Sequence, residues 1–280
     1  MKYEFYKMQG CGNDYVYIDA RKYTIEDSSA LSVKISDRHF GIGSDGLILV
    51  APSDVADAKM IMFNLDGSEG KMCGNGIRCV GKFVHDIWGV DKDTLTIETK
   101  SGIKTLKMQL DETGTAVGAT VDMGHAILSP KLIPVDLDGD SVVDREVEVD
   151  GQKYNITCVS MGNPHTVLFV QNVESMDLPS IGPKFEHHPM FPESVNTEFV
   201  EVLGENLLRM RVWERGSGET WACGTGTCAT VVAACLNGHA KKGEDVRVIL
   251  NGGELVINYT DERVLMTGPA VISFTGEIEV

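Results

Sequence analysis

Two short segments each join a thiol to small residues at the start of a helix-like run: Met72-Cys73-Gly74-Asn75-Gly76 and Ala222-Cys223-Gly224-Thr225-Gly226. The first backbone N–H groups of a helix have no partner within the helix, and the positive end of its dipole lies there, so an anion is stabilised at that point. A thiol of ordinary pKa ~8.5 in such a place is expected to shift down toward neutrality. The flanking glycines let a ligand come close to the backbone, where a carboxylate would meet helix N–H donors. Two such thiols on opposite sides of a carbon suit one reaction class. One removes a proton and the other delivers a proton to the opposite face, which inverts a stereocentre by general acid–base catalysis.

The elements that must position these thiols are legible as a repeat. The two cysteines lie 223 − 73 = 150 residues apart, and the same offset carries Gly12-Asn13 onto Gly162-Asn163, Val50 onto Val200, Glu69 onto Glu219 and Gly102 onto Gly252. A repeat of this length predicts two domains from one duplicated unit. Strands are predicted at Tyr15–Asp19 and Thr166–Val170, Leu47–Val50 and Glu198–Val202, and Ile61–Asn64 and Leu208–Trp213, from their β-branched and aromatic content. A glycine turn follows in each copy, then the cysteine, then a helix whose apolar residues recur at helical spacing (Val80, Phe83, Val84, Ile87; Cys228, Val231, Val232, Cys235, Leu236) and which ends near Gly89 or Gly238. Hairpins with turns at Gly102 and Gly252 come next, and the Asp- and Gly-rich stretch 136–151 reads as a surface excursion. The last strand-like run, Val271–Phe274, has no counterpart left in the second copy and is expected to return to the first. The expected division is residues 1–118 plus 268–280 and residues 119–267. The fold class is α+β, each domain a mixed, largely antiparallel sheet around a central helix.

The 280 residues hold 25 Lys+Arg against 41 Asp+Glu, a formal charge of −16, which disfavours nucleic acid and anionic membrane surfaces as partners. No apolar run approaches the ~20 residues that cross a bilayer. Seven cysteines without an export signal point to free thiols in a reducing cytoplasm. Cys79, Cys158, Cys228 and Cys235 fall on apolar stripes and read as packing; Cys11 sits in a Gly-Cys-Gly loop. The spacings Cys73-x5-Cys79 and Cys223-x4-Cys228 are not those of zinc sites, and no phosphate-binding glycine motif occurs, so no metal and no nucleotide cofactor is expected.

Taken in order, Gly12-Asn13-Asp14-Tyr15, Phe63-Asn64-Leu65-Asp66-Gly67, Cys73-Gly74-Asn75-Gly76, Gly162-Asn163-Pro164-His165, Val195-Asn196-Thr197-Glu198-Phe199, Trp213-Glu214-Arg215-Gly216 and Cys223-Gly224-Thr225-Gly226 closely resemble the diaminopimelate epimerase family over nearly the whole chain. The resemblance implies an isomerase that needs no cofactor, interconverts LL- and meso-diaminopimelate on the lysine and peptidoglycan route, and usually forms a homodimer. It implies that Cys73 and Cys223 are the two bases and that His165 and Glu214 tune their protonation. Asn13, Asn64, Asn163 and Asn196 would hydrogen-bond the substrate, with Gly74, Asn75, Glu214, Arg215, Gly224 and Thr225. Asn offers donor and acceptor together, and Arg215 can hold a carboxylate bidentately, as a substrate with an amino-acid head at each end requires.

Two departures stand out. Gly46 occupies a place where some members carry Gln, and Gln9 and Cys11 replace the usual His and apolar residue. The rival reading is a proline- or hydroxyproline-type racemase on the same fold. Such enzymes typically show His after the first Cys-Gly, where this chain has Asn75, and Glu214-Arg215 fits a substrate with a second polar end better.

Overall fold

The computed structural model describes all 280 residues, and the chain divides into two compact units, Met1–Asp122 with Thr267–Val280, and Met123–Met266. In the first, the order is β1 (Lys2–Gly10), β2 (Asn13–Asp19), α1 (Ser28–Ser36), β3 (Gly46–Ala51), β4 (Ala58–Asn64), β5 (Glu69–Gly70), α2 (Gly74–Lys82), β6 (Thr94–Thr99), β7 (Gly102–Leu110) and β8 (Ala116–Asp122). The second continues with β9 (Arg145–Val149), β10 (Gln152–Ser160), β11 (Pro164–Phe169), α3 (Leu178–Glu186), β12 (Asn196–Gly204), β13 (Leu207–Glu214), β14 (Gly218–Thr220), α4 (Gly224–Leu236), β15 (Asp245–Leu250) and β16 (Gly253–Tyr259). Then β17 (Val264–Pro269) leads the chain back, and β18 (Val271–Glu279) pairs antiparallel with β1.

Both units repeat one pattern of pairing. β2 runs parallel to β3 and β3 antiparallel to β4; β11 likewise runs parallel to β12 and β12 antiparallel to β13. The register keeps the 150-residue offset, since Tyr17 faces Ile48 and Val167 faces Glu198. Beyond the helices the offset grows by one: Thr99 pairs with Gly102 but Leu250 with Gly253, so the counterpart of Gly102 is Gly253 and not Gly252.

β3 is buried along its whole length because it is covered on both faces, which is why it reads as a continuous apolar run. Leu47 and Leu49 pack with Leu31 and Ile35 of α1, while Ile48 lies under Gly76 of α2. In the second unit Phe199 and Phe185 join the core on the α3 side, and α4 is apolar nearly all round and packs against β10, β11, β12, β13 and β16. The α2 run ends in a π-helical turn over Phe83–Ile87, and Gly89 (φ 70°) closes it in the left-handed region.

Two features differ from the sequence expectation. Residues 136–151 are no mere surface excursion: Val142, Val147 and Val149 are buried in the second core, and β9 pairs with β10. Apolar side chains at alternate positions between the aspartates secure that strand to the core. Helices α1 and α3 went unassigned in the sequence; each is nine residues, begins on an Asp N-cap (Asp27, Asp177) and is held by packing on its sheet more than by local propensity.

Candidate active site

Both cysteines are helix N-caps. Cys73 has extended backbone angles (φ −123°, ψ 122°), and its sulfur accepts from the N–H of Gly76 at 3.3 Å; Cys223 (φ −114°, ψ 108°) accepts from Gly226 at 3.4 Å. Sulfur thus takes the place that a Ser or Asp oxygen fills in an ordinary cap. The cap fixes each thiol at the helix tip beside the backbone N–H groups of residues 74–75 or 224–225, the charge-favouring end of the dipole.

Around Cys73 in the first unit, the S–H donates to Asn13 Oδ1 (3.2 Å), and Asn13 Nδ2 donates to Asp45 Oδ2 (2.8 Å). Asp45 also accepts from the Asp14 N–H (3.1 Å) and from Arg38 (3.0 Å). Asn75 is buried, and its Oδ1 accepts from Arg78 (3.0 Å), so its side chain is committed to the fold and its backbone N–H is what stands at the tip. Asn64 donates to Ser68 Oγ (2.9 Å) and faces Gly46 across the strands. A Cβ on Gly46 would fall 2.1 Å from the Phe63 carbonyl oxygen, so this backbone leaves no room for a side chain at that position.

Around Cys223 in the second unit the surroundings are charged. His165 and Glu198 are fully buried and meet at 2.7 Å (Nδ1 to Oε1); His165 Nε2 faces Asn163 Oδ1 at 3.1 Å. Asn163 Nδ2 donates to Thr225 Oγ1 (3.3 Å), which stands 3.5 Å from the Cys223 sulfur. Glu214 accepts from Thr220 Oγ1 at 2.5 Å and hydrogen-bonds Cys223. Asn196 spans the strand ends: its Nδ2 donates to the Pro164 carbonyl (2.7 Å), and its Oδ1 accepts the Arg215 N–H (3.0 Å). The Arg215 guanidinium donates to the Glu193 carbonyl (2.8 Å).

The expected lowering of the thiol is not what the second unit does. Burial, then the Glu214 and Glu198 carboxylates, push the Cys223 thiol well above its ordinary value, and the Thr225 and Gly226 hydrogen bonds oppose this only in part. Burial likewise raises the Glu214 carboxyl. A helix terminus acts on a thiolate only as far as desolvation and neighbouring charges allow. Burial raises Cys79 and Cys235 to about 11 and Cys158 to about 12, which leaves these three as thiols. Cys11 is buried at φ 53°, 4.0 Å from the Arg78 guanidinium.

Sequence reasoning passed over Asp45, Glu198 and Thr220. Glu198 did leave a signal, since the 150-residue offset places it on Ile48, an acid where the other copy has a core residue. Gly76 and Gly226 confirm the correspondence: an added Cβ would meet Ile48 Cδ1 at 2.8 Å in one copy and Glu198 Oε1 at 2.5 Å in the other.

The diaminopimelate epimerase family profile matches residues 5–129 and 157–273. The chain is 55% identical over 281 residues to the diaminopimelate epimerase of Desulfovibrio desulfuricans, covering 98% of this chain and 97% of that one. It is 52% identical to that of Acetivibrio thermocellus, with 99% and 98% covered. Among solved structures, a Bacillus anthracis phenazine biosynthesis protein of the PhzF family superposes with a TM-score of 0.70 at 18% identity over 100% of both chains. A hydroxyproline epimerase from Agrobacterium vitis gives 0.67 at 13%, with 99% of this chain and 91% of that one covered; these two likenesses concern the fold. No helix is long and apolar enough to cross a membrane.

Proposed function

The chain belongs to the diaminopimelate epimerase family, and from that premise we propose that it interconverts LL- and meso-2,6-diaminopimelate with Cys73 and Cys223 as paired acid and base. It is an isomerase, and each unit supplies one thiol. The observation that carries the two-thiol reading is the double N-cap: two cysteines, one per copy of a duplicated unit, each fixed on the tip of a helix and followed by Gly-x-Gly. One sulfur takes the α-proton while the other, still protonated, delivers to the opposite face; the products leave the proton count unchanged. Helix-tip N–H groups receive the substrate carboxylate as charge builds at the α-carbon.

In this reading Asn13, Asn64, Asn163 and Asn196 flank the substrate, with the backbone of Gly74, Asn75, Gly224 and Thr225 at its reacting head. Arg215 and Glu214 serve its polar ends, and Glu214 and His165 bias the protonation of Cys223. The raised Cys223 thiol suits an acid in the resting protein. The reaction needs no cofactor, and the enzyme works in the cytoplasm as a homodimer, which light scattering on purified protein checks.

The direct experiment incubates purified protein with LL-diaminopimelate in heavy water without pyridoxal phosphate, followed by NMR and chiral analysis. Deuterium at the α-carbon together with meso product is the expected outcome. Exchange with proline and none with diaminopimelate would overturn the substrate assignment in favour of a proline-type racemase.

A further inference from the structure

The two copies hold the same asparagine in opposite senses. Asp45 is bordered by three donors, namely the Asp14 N–H, Arg38 and the Asn13 side chain, so it acts there as an acceptor. An acceptor on that side obliges Asn13 to present its NH2 to Asp45 and its carbonyl oxygen to Cys73, where it receives the S–H at 3.2 Å. In the second copy the residue 150 positions after Asp45 is Val195, which is buried and apolar, and the residue 150 positions after Tyr15 is His165. Asn163 accordingly turns its oxygen to His165 and its NH2 to Thr225. Thr225 Oγ1, which accepts there, stands 3.5 Å from the Cys223 sulfur. Cys73 thus faces an amide oxygen, whereas Cys223 faces the Thr225 hydroxyl and the Glu214 carboxyl.

We propose that Asp45 is a positioning residue that locks the Asn13 amide with its oxygen on Cys73, so that the proton of that thiol is retained until substrate displaces the contact. The consequence for turnover rests on the two-thiol reading above; the orientation of Asn13 does not. The charged and titratable groups around the pair are Lys7, Asp14 and Arg38 beside Asp45, with Tyr17 and the Cys79 thiol beside Cys73.

The test follows alkylation of Cys73 by iodoacetamide against pH, read by peptide mass mapping, with Cys223 as internal control. In Asp45→Ala the freed amide can turn its NH2 to the sulfur. A hydrogen bond to a charged group is worth enough to lower the midpoint of Cys73 alkylation by about one pH unit, a tenfold gain in thiolate below the midpoint. Asp45→Asn keeps an oxygen for Asn13 and loses only the charge, so its Cys73 midpoint stays at the wild-type value. In an Asn13→Ala background Asp45→Ala adds nothing, because the group it acts through is gone.

A midpoint in Asp45→Asn as low as in Asp45→Ala would overturn the proposal in favour of plain charge. So would a full Asp45→Ala effect in the Asn13→Ala background, or none in wild type. Asp45→Ser replaces Asp45→Ala if circular dichroism shows the latter unfolded. Because alkylation needs no turnover, failure of the epimerase assignment would appear separately, as absent exchange in wild-type protein.

Discussion

Replacing His165 by leucine isolates what the buried pair of the second unit contributes. Glu198 and His165 are both fully buried, 2.7 Å apart, and the second carboxyl oxygen of Glu198 has no hydrogen-bond partner. His165 bridges the two groups, with Nε2 facing the Asn163 oxygen and Nδ1 the Glu198 carboxyl. Without the imidazole, Glu198 stays buried and loses the partner of its Oε1 as well.

Removing one partner of a buried pair of this kind costs about 3–5 kcal/mol, because the other is left unpaired away from water. The lost contact to Asn163 adds about 1 kcal/mol. For a unit of this size, about 4 kcal/mol lowers the unfolding midpoint by roughly 10–15 °C. Guanidinium unfolding measures the difference. The double variant His165→Leu/Glu198→Ile, which gives position 198 the residue that position 48 already carries, should recover most of the loss, because no carboxyl is then left unpaired. A double variant no more stable than His165→Leu alone would refute the reasoning.

Cys73→Ser and Cys223→Ser should each lower epimerisation at least a hundredfold, in line with loss of a positioned acid or base, when α-proton exchange is followed by NMR. Near-normal exchange in either variant would mean that two thiols are not required. Glu214→Gln removes a carboxylate that raises the Cys223 thiol, so thiolate should form at lower pH; faster alkylation of Cys223 at pH 8 is the expected reading. Gly226→Ala puts a methyl 2.5 Å from Glu198 Oε1 and 3.2 Å from the Cys223 sulfur, and should cost about 1–3 kcal/mol in urea unfolding. Gly76→Ala meets only the ends of the Ile48 and Met60 side chains at 2.8 and 3.2 Å, apart from its own N-cap, and should cost less. Equal penalties would show that the charged pair under α4 is no more rigid than the apolar packing under α2.

Much of the scaffold was legible because its signals are local. A cysteine before a Gly-x-Gly and an apolar helical stripe is a cap and a helix, and β-branched runs such as Leu47–Val50 are strands wherever they are buried. The shift of the hairpin counterpart from Gly252 to Gly253 was hidden because a turn glycine has a glycine neighbour on either choice. The strand within residues 136–151 was masked by its aspartates, although Val142, Val147 and Val149 carry it into the core. α1 and α3, at nine residues, are too short to declare themselves without the sheet they lie on.

By itself the sequence determined the duplication, the place of each thiol at a helix tip, and the family to which the chain belongs, because spacing and residue type suffice for these. Only the tertiary structure decided the electrostatics. The helix dipole that would lower both thiols is a local property. The groups that outweigh it at Cys223 arrive from β12 and β13, as Glu198 and Glu214, and from burial by the surrounding chain. At Cys73 the partner behind Asn13 is Asp45, thirty-two residues along the chain, and its carboxylate decides which end of an amide the sulfur meets. Desolvation and the direction of a hydrogen bond depend on what folding brings near a group, and neither is written in the spacing of the residues that do the chemistry.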